Sequence, residues 1–211
     1  MPGPKKKDLV VLVADKNMHS TVAGLLSRRE SLGIRNISFD VYRHPARDAG
    51  CFRGCDRFLQ PLSGQFKKGL VMFDRHGSGC RDEASRTDLE AEVESRLARS
   101  WAGRASAVVF DPELEIWVWS DSPHVDDILG WTGKQPDLRT WLLGKGFLQT
   151  GHSKPDNPKE AMEEALRHVK KARSSSLYDR LSRVVSLDRC NNPAFLKFRS
   201  VVGNWFPQEG L

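Results

Sequence analysis

A chain of 211 residues with 39% hydrophobic content and six Trp carries enough apolar mass for one folded domain, with or without a helical appendage. That composition excludes an intrinsically disordered protein, and no apolar run approaches the length that crosses a bilayer. The net charge of +6 permits a polyanionic partner without requiring one.

The start, "MPGPKKKDLVVLVAD", sets three lysines before an apolar run that stops at Asp15. The run is too short for a signal-peptide core and no small-residue cleavage site follows. It reads as a first strand, with the cytoplasm as the expected compartment. Residues 8 to 14 are continuous and β-branched, the pattern of a strand buried on both faces. In "NMHSTVAGLLSRRESLG", Val22, Leu25, Leu26 and Leu32 form a helical stripe closed by Gly33. Residues 34 to 42 alternate at Ile37, Phe39 and Val41 and predict a second strand. The segment 44 to 65, rich in Gly, Pro and Cys, predicts only one short helix around Phe58. "KGLVMFD" is a third buried strand ending in Asp74, and "RHGSGCRD" a glycine-bearing loop. Leu89, Val93, Leu97 and Trp101 recur every four residues and predict the clearest helix. "ASAVVF" is a fourth strand, running into "DPELEIWVWSD". There Asp111-Pro112-Glu113 reads as a helix start, while alternation over 113 to 119 keeps a strand open. After a connector, "LQTGHSKPDNP", three helices follow in "NPKEAMEEALRHVKKA", "SLYDRLSRVVSL" and "NPAFLKFRSVVGNW", two of them opened by Asn-Pro. The alternation predicts an α/β domain with a mostly parallel sheet flanked by helices over residues 1 to 130. Residues 131 to 211 form a helical C-terminal extension packed on it.

Three of the four strands end in an acid: Asp15, Asp74 and Asp111, the last followed by Glu113 and Glu115. In an open parallel sheet the C-terminal strand ends share one rim, so such acids converge there. A divalent cation removes their mutual repulsion, and Mg²⁺ takes hard oxygen ligands. Bound metal polarises a phosphoryl oxygen and activates water, which suits nucleic-acid cleavage. For any single acid the competing reading is a helix cap, and the choice rests on their recurrence.

"ELEIWVWSD" after a fourth strand, with acids ending the earlier strands, resembles a TOPRIM-like group of mostly uncharacterised bacterial genome-defence proteins. TOPRIM is the metal-binding α/β domain shared by topoisomerases, bacterial primases and overcoming-lysogenization-defect nucleases. Pro158-Lys159, the Tyr178 helix and the Cys-x-x-Pro-x-Phe core of "VVSLDRCNNPAFLKFRSVVGNW" resemble that group's ending. A component of a methylation-associated antiphage defence system is the narrower resemblance. The chain departs from the family in reading Asp15-Lys16 for the usual Glu-Gly, and Asp74-Arg75-His76 for Asp-x-Asp. The resemblance implies Asp15, Asp74, Glu113 and His76 as ligands of Mg²⁺ or Mn²⁺, His76 favouring the latter. It also implies Asp15, Glu113, Glu115 and Lys159 as catalytic residues, with Lys159 on the scissile phosphate. The implied activity is phosphodiester hydrolysis in DNA or RNA, with other defence proteins as further partners. The competing expectation is a catalytically inactive scaffold or nucleic-acid-binding subunit.

Other features are less specific. Cys51, Cys55, His76 and Cys80 make a conceivable Cys₃His zinc set, disfavoured because structural zinc sites use tighter knuckles. Lys170, Lys171, Arg173, Arg180, Arg183 and Arg189 form a basic region that tracks a phosphate backbone or is simply solvated. Trp117, Trp119, Trp131 and Trp141 read as core, and "HGSG" lacks the lysine of a P-loop.

Overall fold

The computed structural model describes residues 6–119 and 122–208, so Ser120 and Asp121 of the "ELEIWVWSD" stretch lie outside the described residues. The chain forms β1 (Lys7–Val13), α1 (Lys16–Leu26), α2 (Arg29–Leu32), β2 (Phe39–Arg43), α3 (Arg47–Leu59), β3 (Phe66–Asp74), α4 (Arg86–Trp101) and β4 (Ala105–Phe110). Among the described residues six helices follow: α5 (Glu115–Val118), α6 (Pro123–Leu129), α7 (Leu138–Gly144), α8 (Pro158–His168), α9 (Ser175–Val184) and α10 (Pro193–Trp205). The four strands are all parallel in the order β2-β1-β3-β4, an α/β sheet flanked by helices.

The order explains the patterning. Leu9 to Val13 of central β1 and Leu70, Val71 and Phe73 of central β3 are fully buried, as a strand covered on both faces demands. The chain moves one way along the sheet from β1 to β2 and the other way from β2 to β3. Right-handed crossovers therefore place α1 and α3 on opposite faces. Accordingly α3 packs on α4, while α1 packs on α9 from the C-terminal part. That second contact is close: a Cβ added at Gly24 would fall 1.8 Å from Ser182 Oγ.

The edge strand β4 is covered rather than left open. Glu90 and Glu94 of α4 accept from the outward N–H groups of Val109 and Ala107, each at 3.0 Å. Lys197 of α10 bridges both carboxylates, at 3.1 and 3.0 Å. These side chains replace the missing fifth strand and remove a pairing edge.

Several elements differ from expectation. Residues 44–65 hold the 13-residue helix α3, whose glycines and cysteines look like loop composition but stand at helical spacing. The second strand begins at Phe39, not residue 34, because Gly33 ends α2 in the left-handed region and Ile34 bridges to Pro207. Two further short helices, α6 and α7, lie where no element was expected, and 115–118 is helical, which settles the helix-or-strand ambiguity. The tryptophans are core: Trp119 Nε1 donates to Pro158 O and Trp131 Nε1 to Ala165 O. Among the described residues, no helix is long and apolar enough to cross a membrane.

Candidate functional site

Where the crossovers diverge, between the C-terminal ends of β1 and β3, an α/β sheet opens its natural ligand crevice. Asp15 follows β1 and Asp74 ends β3. The turn after β4 carries Glu113, and α5 opens with Glu115. All four line one crevice of about 280 Å³, together with His76, Lys159 of α8 and Arg173. Every residue expected at the site is thus brought together. Asp111 is the exception among the strand-end acids: it sits half-exposed, 3.8 Å from Arg75, outside this crevice.

The crevice also holds an acid that the sequence did not betray. Asp48, in the first turn of α3, accepts from the backbone N–H of Asp74 through Oδ1 at 2.9 Å. Its signal was Cys51, Cys55 and Leu59 recurring every four residues behind it, a helix whose start would face the same rim.

Each acid already has work. Asp15 caps α1, its Oδ1 accepting from Met18 N at 2.8 Å, so the cap reading holds for that oxygen. Asp74 Oδ1 accepts from Leu114 N at 2.8 Å, tying the end of β3 to the turn after β4. Glu113 lies 3.4 Å from His76 Nδ1 and 3.8 Å from Lys159 Nζ. Glu115 is buried and accepts from both the Tyr178 hydroxyl and the Arg173 guanidinium. Arg173 also donates to Tyr178 Oη at 2.7 Å and pairs with Glu163 at 3.3 Å. Glu115 is therefore a strut joining the C-terminal helices to the rim, not an open ligand.

The electrostatics follow from this crowding. Burial, then the charges of Asp48, Glu115, Asp15 and Glu113, pushes the Asp74 carboxyl well above the usual range. Asp48 is raised too, by burial first and by Asp15, against the pull of the backbone N–H groups it accepts from. Tyr178 is raised by burial and by the neighbouring Glu115. Arg173 is raised because Tyr178 and Glu115 outweigh its burial.

As the side chains stand, no group of three or more His, Cys, Asp or Glu among the described residues is arranged to hold a metal ion. The donor set nonetheless suits a hard cation. Its acids present oxygen only, they crowd one crevice, and their repulsion is what a divalent ion relieves. The Glu113 carboxylate is paired with the exposed His76 and the half-exposed Lys159, and among the described residues no backbone N–H donates to it.

The zinc set does not assemble. Cys51 and Cys55 are buried in the core on α3, and burial with the nearby Asp56 pushes Cys55 up to about 11. His76 is exposed at the crevice mouth instead. Of the basic C-terminal residues, Arg173 is spent on Glu115, Lys171 on Ile128 O and Arg183 on Asp179. Comparison with protein-family models, with curated proteins and with solved structures yields no match.

Proposed function

We propose that the rim crevice binds Mg²⁺ or Mn²⁺ and hydrolyses a phosphodiester in DNA or RNA, in the manner of a divergent TOPRIM-like nuclease of bacterial defence. The observation that carries this reading is the meeting of Asp15, Asp48, Asp74 and Glu113, distant in sequence, in one crevice at the sheet's switch point. Asp15, Asp74 and Glu113 would hold the ion. Asp48 fixes Asp74 from behind, and His76 offers Nε2 as a further donor that favours Mn²⁺. When bound, the ion supplies Lewis-acid polarisation of the phosphoryl oxygen and a more acidic water. Lys159 lines the crevice from the first turn of α8, 3.8 Å from Glu113, and would bind a non-bridging phosphate oxygen with Glu113 serving the ion. Glu115, through Arg173 and Tyr178, keeps the turn carrying Glu113 fixed relative to α8 and α9.

The test is a nuclease assay with Mg²⁺ and with Mn²⁺ on single- and double-stranded DNA and RNA, for wild type and Glu113→Gln. The reading predicts cleavage by wild type and loss of at least 10²-fold in the variant, the scale of removing one catalytic electrostatic contact. Equal inertness of both preparations overturns it.

A second reading is favoured by the absence of three ready-placed ligands among the described residues. In that reading the crevice is a relic, and the chain is a non-catalytic scaffold or nucleic-acid-binding subunit in a defence complex. It predicts no heat on titrating Mn²⁺ and co-purification with partner proteins.

A further inference from the structure

A second crevice, of about 790 Å³, opens beside the acidic one, between the C-terminal ends of β1 and β2. The two meet at Asp15, Asn17 and Arg47, which line both. Its character is the reverse of its neighbour's. Lys16, Arg43 and Arg47 are exposed in it, and none makes an ion pair or side-chain hydrogen bond among the described residues. Among the described residues that line it Asp15 is the one carboxylate, and that acid's Oδ1 is committed to capping α1. Elsewhere the chain ties many of its cations to acids, as with Lys7, Lys67, Arg86, Arg96 and Lys197. Three cations without acidic partners around one concavity mark an anion seat.

The wall is braced by α3 and includes an aromatic side chain, Tyr42. His44 lies flat against α3 where Gly50 and Gly54 leave room; a Cβ at Gly50 would fall 1.9 Å from His44 Nδ1. That same nitrogen accepts from Ala46 N at 3.1 Å, and the imidazole packs on Phe58 at 5.5 Å between centroids. The turn bearing Arg43 and Arg47 is therefore held from below. Tyr42, 37% exposed, packs at a tilt on the same Phe58, 6.2 Å between centroids, and lines the crevice. A basic groove with an aromatic platform is how proteins take single strands: cations follow the phosphates and rings stack the bases.

We infer that this crevice seats the backbone of a single-stranded polynucleotide and leads it into the acidic crevice, with Lys16, Arg43 and Arg47 on phosphates and Tyr42 under a base. The inference rests on the nuclease reading for its direction of travel, but the binding it claims needs no metal and no turnover.

The test is fluorescence anisotropy of labelled oligothymidine and of a labelled duplex, in EDTA, across a salt series. The proteins are wild type, Arg43→Glu/Arg47→Glu, Tyr42→Ala and a control, Lys134→Glu/Lys145→Glu, changed at exposed lysines that line neither crevice. Thermal melts confirm that each is folded. The inference predicts that single strands bind more tightly than duplex and that the Arg43/Arg47 variant loses at least tenfold. The salt slope of that variant falls by about 1.4, the share of two phosphate contacts on a single strand. Tyr42→Ala weakens binding about five- to tenfold, the lower part of the range for one stacked base. The lysine control stays within twofold of wild type. Equal binding by wild type and the Arg43/Arg47 variant overturns it. So does preference for duplex, or competition by thymidine monophosphate as effective per phosphate as by the oligomer, which would mark a small-phosphate seat. Because EDTA removes turnover, an inert nuclease assay with intact Arg43/Arg47-dependent binding defeats the proposed function alone. Cleavage that survives Arg43→Glu/Arg47→Glu unchanged defeats this inference alone.

Discussion

Glu115→Ala tests how the C-terminal helices are fastened to the rim. Glu115 is 2% exposed and Tyr178 fully buried, so truncation strands two donors that chose this carboxylate over water. Breaking a buried pair by removing one partner costs about 3–5 kcal/mol. The lower end applies, because Arg173 keeps Glu163 at 3.3 Å and its side chain is 27% exposed. For a chain of this size, 1 kcal/mol moves Tm by about 2–4 °C, so about 3 kcal/mol lowers Tm by about 6–12 °C. The assay is thermal unfolding by far-UV circular dichroism, with Glu115→Ala, Arg173→Ala and the double variant forming a cycle. Coupling above about 1 kcal/mol is expected between them. The triple exchange Glu115→Met/Arg173→Met/Tyr178→Phe recovers much of the loss, since an apolar replacement strands no group. A Tm drop under 2 °C for Glu115→Ala, or additive singles, would refute the strut.

Four further outcomes follow from the same geometry. Asp74 titrates above its unfolded value, so its ionised form costs stability once pH rises past about 4, the unfolded carboxylate range. Asp74→Asn keeps the acceptor for Leu114 N, and it raises Tm at neutral pH with the gain vanishing below about pH 4. Asp8 has the opposite sign. Burial raises it, but hydrogen bonds from Arg35, Ser38 and Lys67 prevail and hold it well below the usual range. Its contribution is present above about pH 4 and lost as acid approaches the folded value, so Asp8→Asn flattens the acid limb of a Tm–pH profile. Gly24→Ala drives a methyl into Ser182 and costs about 1–3 kcal/mol by urea unfolding, partly relieved by adding Ser182→Ala. Finally, Glu90→Ala leaves Val109 N without its acceptor and Lys197 with Glu94 alone; a loss of about 2–3 kcal/mol and more self-association by light scattering are expected, as the β4 edge opens.

The sheet was legible because burial on both faces leaves a mark in composition: Leu9 to Val13 of β1 and Leu70 to Phe73 of β3 are apolar without interruption. The convergence of Asp15, Asp74 and Glu113 was legible too, since parallel strands place their ends on one rim whatever the loops do. The helix α3 was not, because Gly50 and Gly54 look like loop punctuation, although here they make room for His44. With α3 went Asp48, the acid that accepts from the Asp74 backbone N–H. The occupation of Glu115 was beyond reach for a different reason: Arg173 and Tyr178 are 58 and 63 residues away, and no local pattern reports such a pairing. The basic surface also moved. Cations close in sequence, at 170 to 189, are partly absorbed into internal contacts. Lys16, Arg43 and Arg47 meet only because β1 and β2 are neighbours.

The most direct measurement is isothermal titration of Mn²⁺ into the metal-free protein at neutral pH, comparing wild type with Asp74→Asn/Glu113→Gln. The gathered carboxylates predict saturable binding by wild type that releases protons and disappears in the variant. Indistinguishable isotherms, or no heat from wild type, would show that these acids are neutralised by their own neighbours and hold no ion.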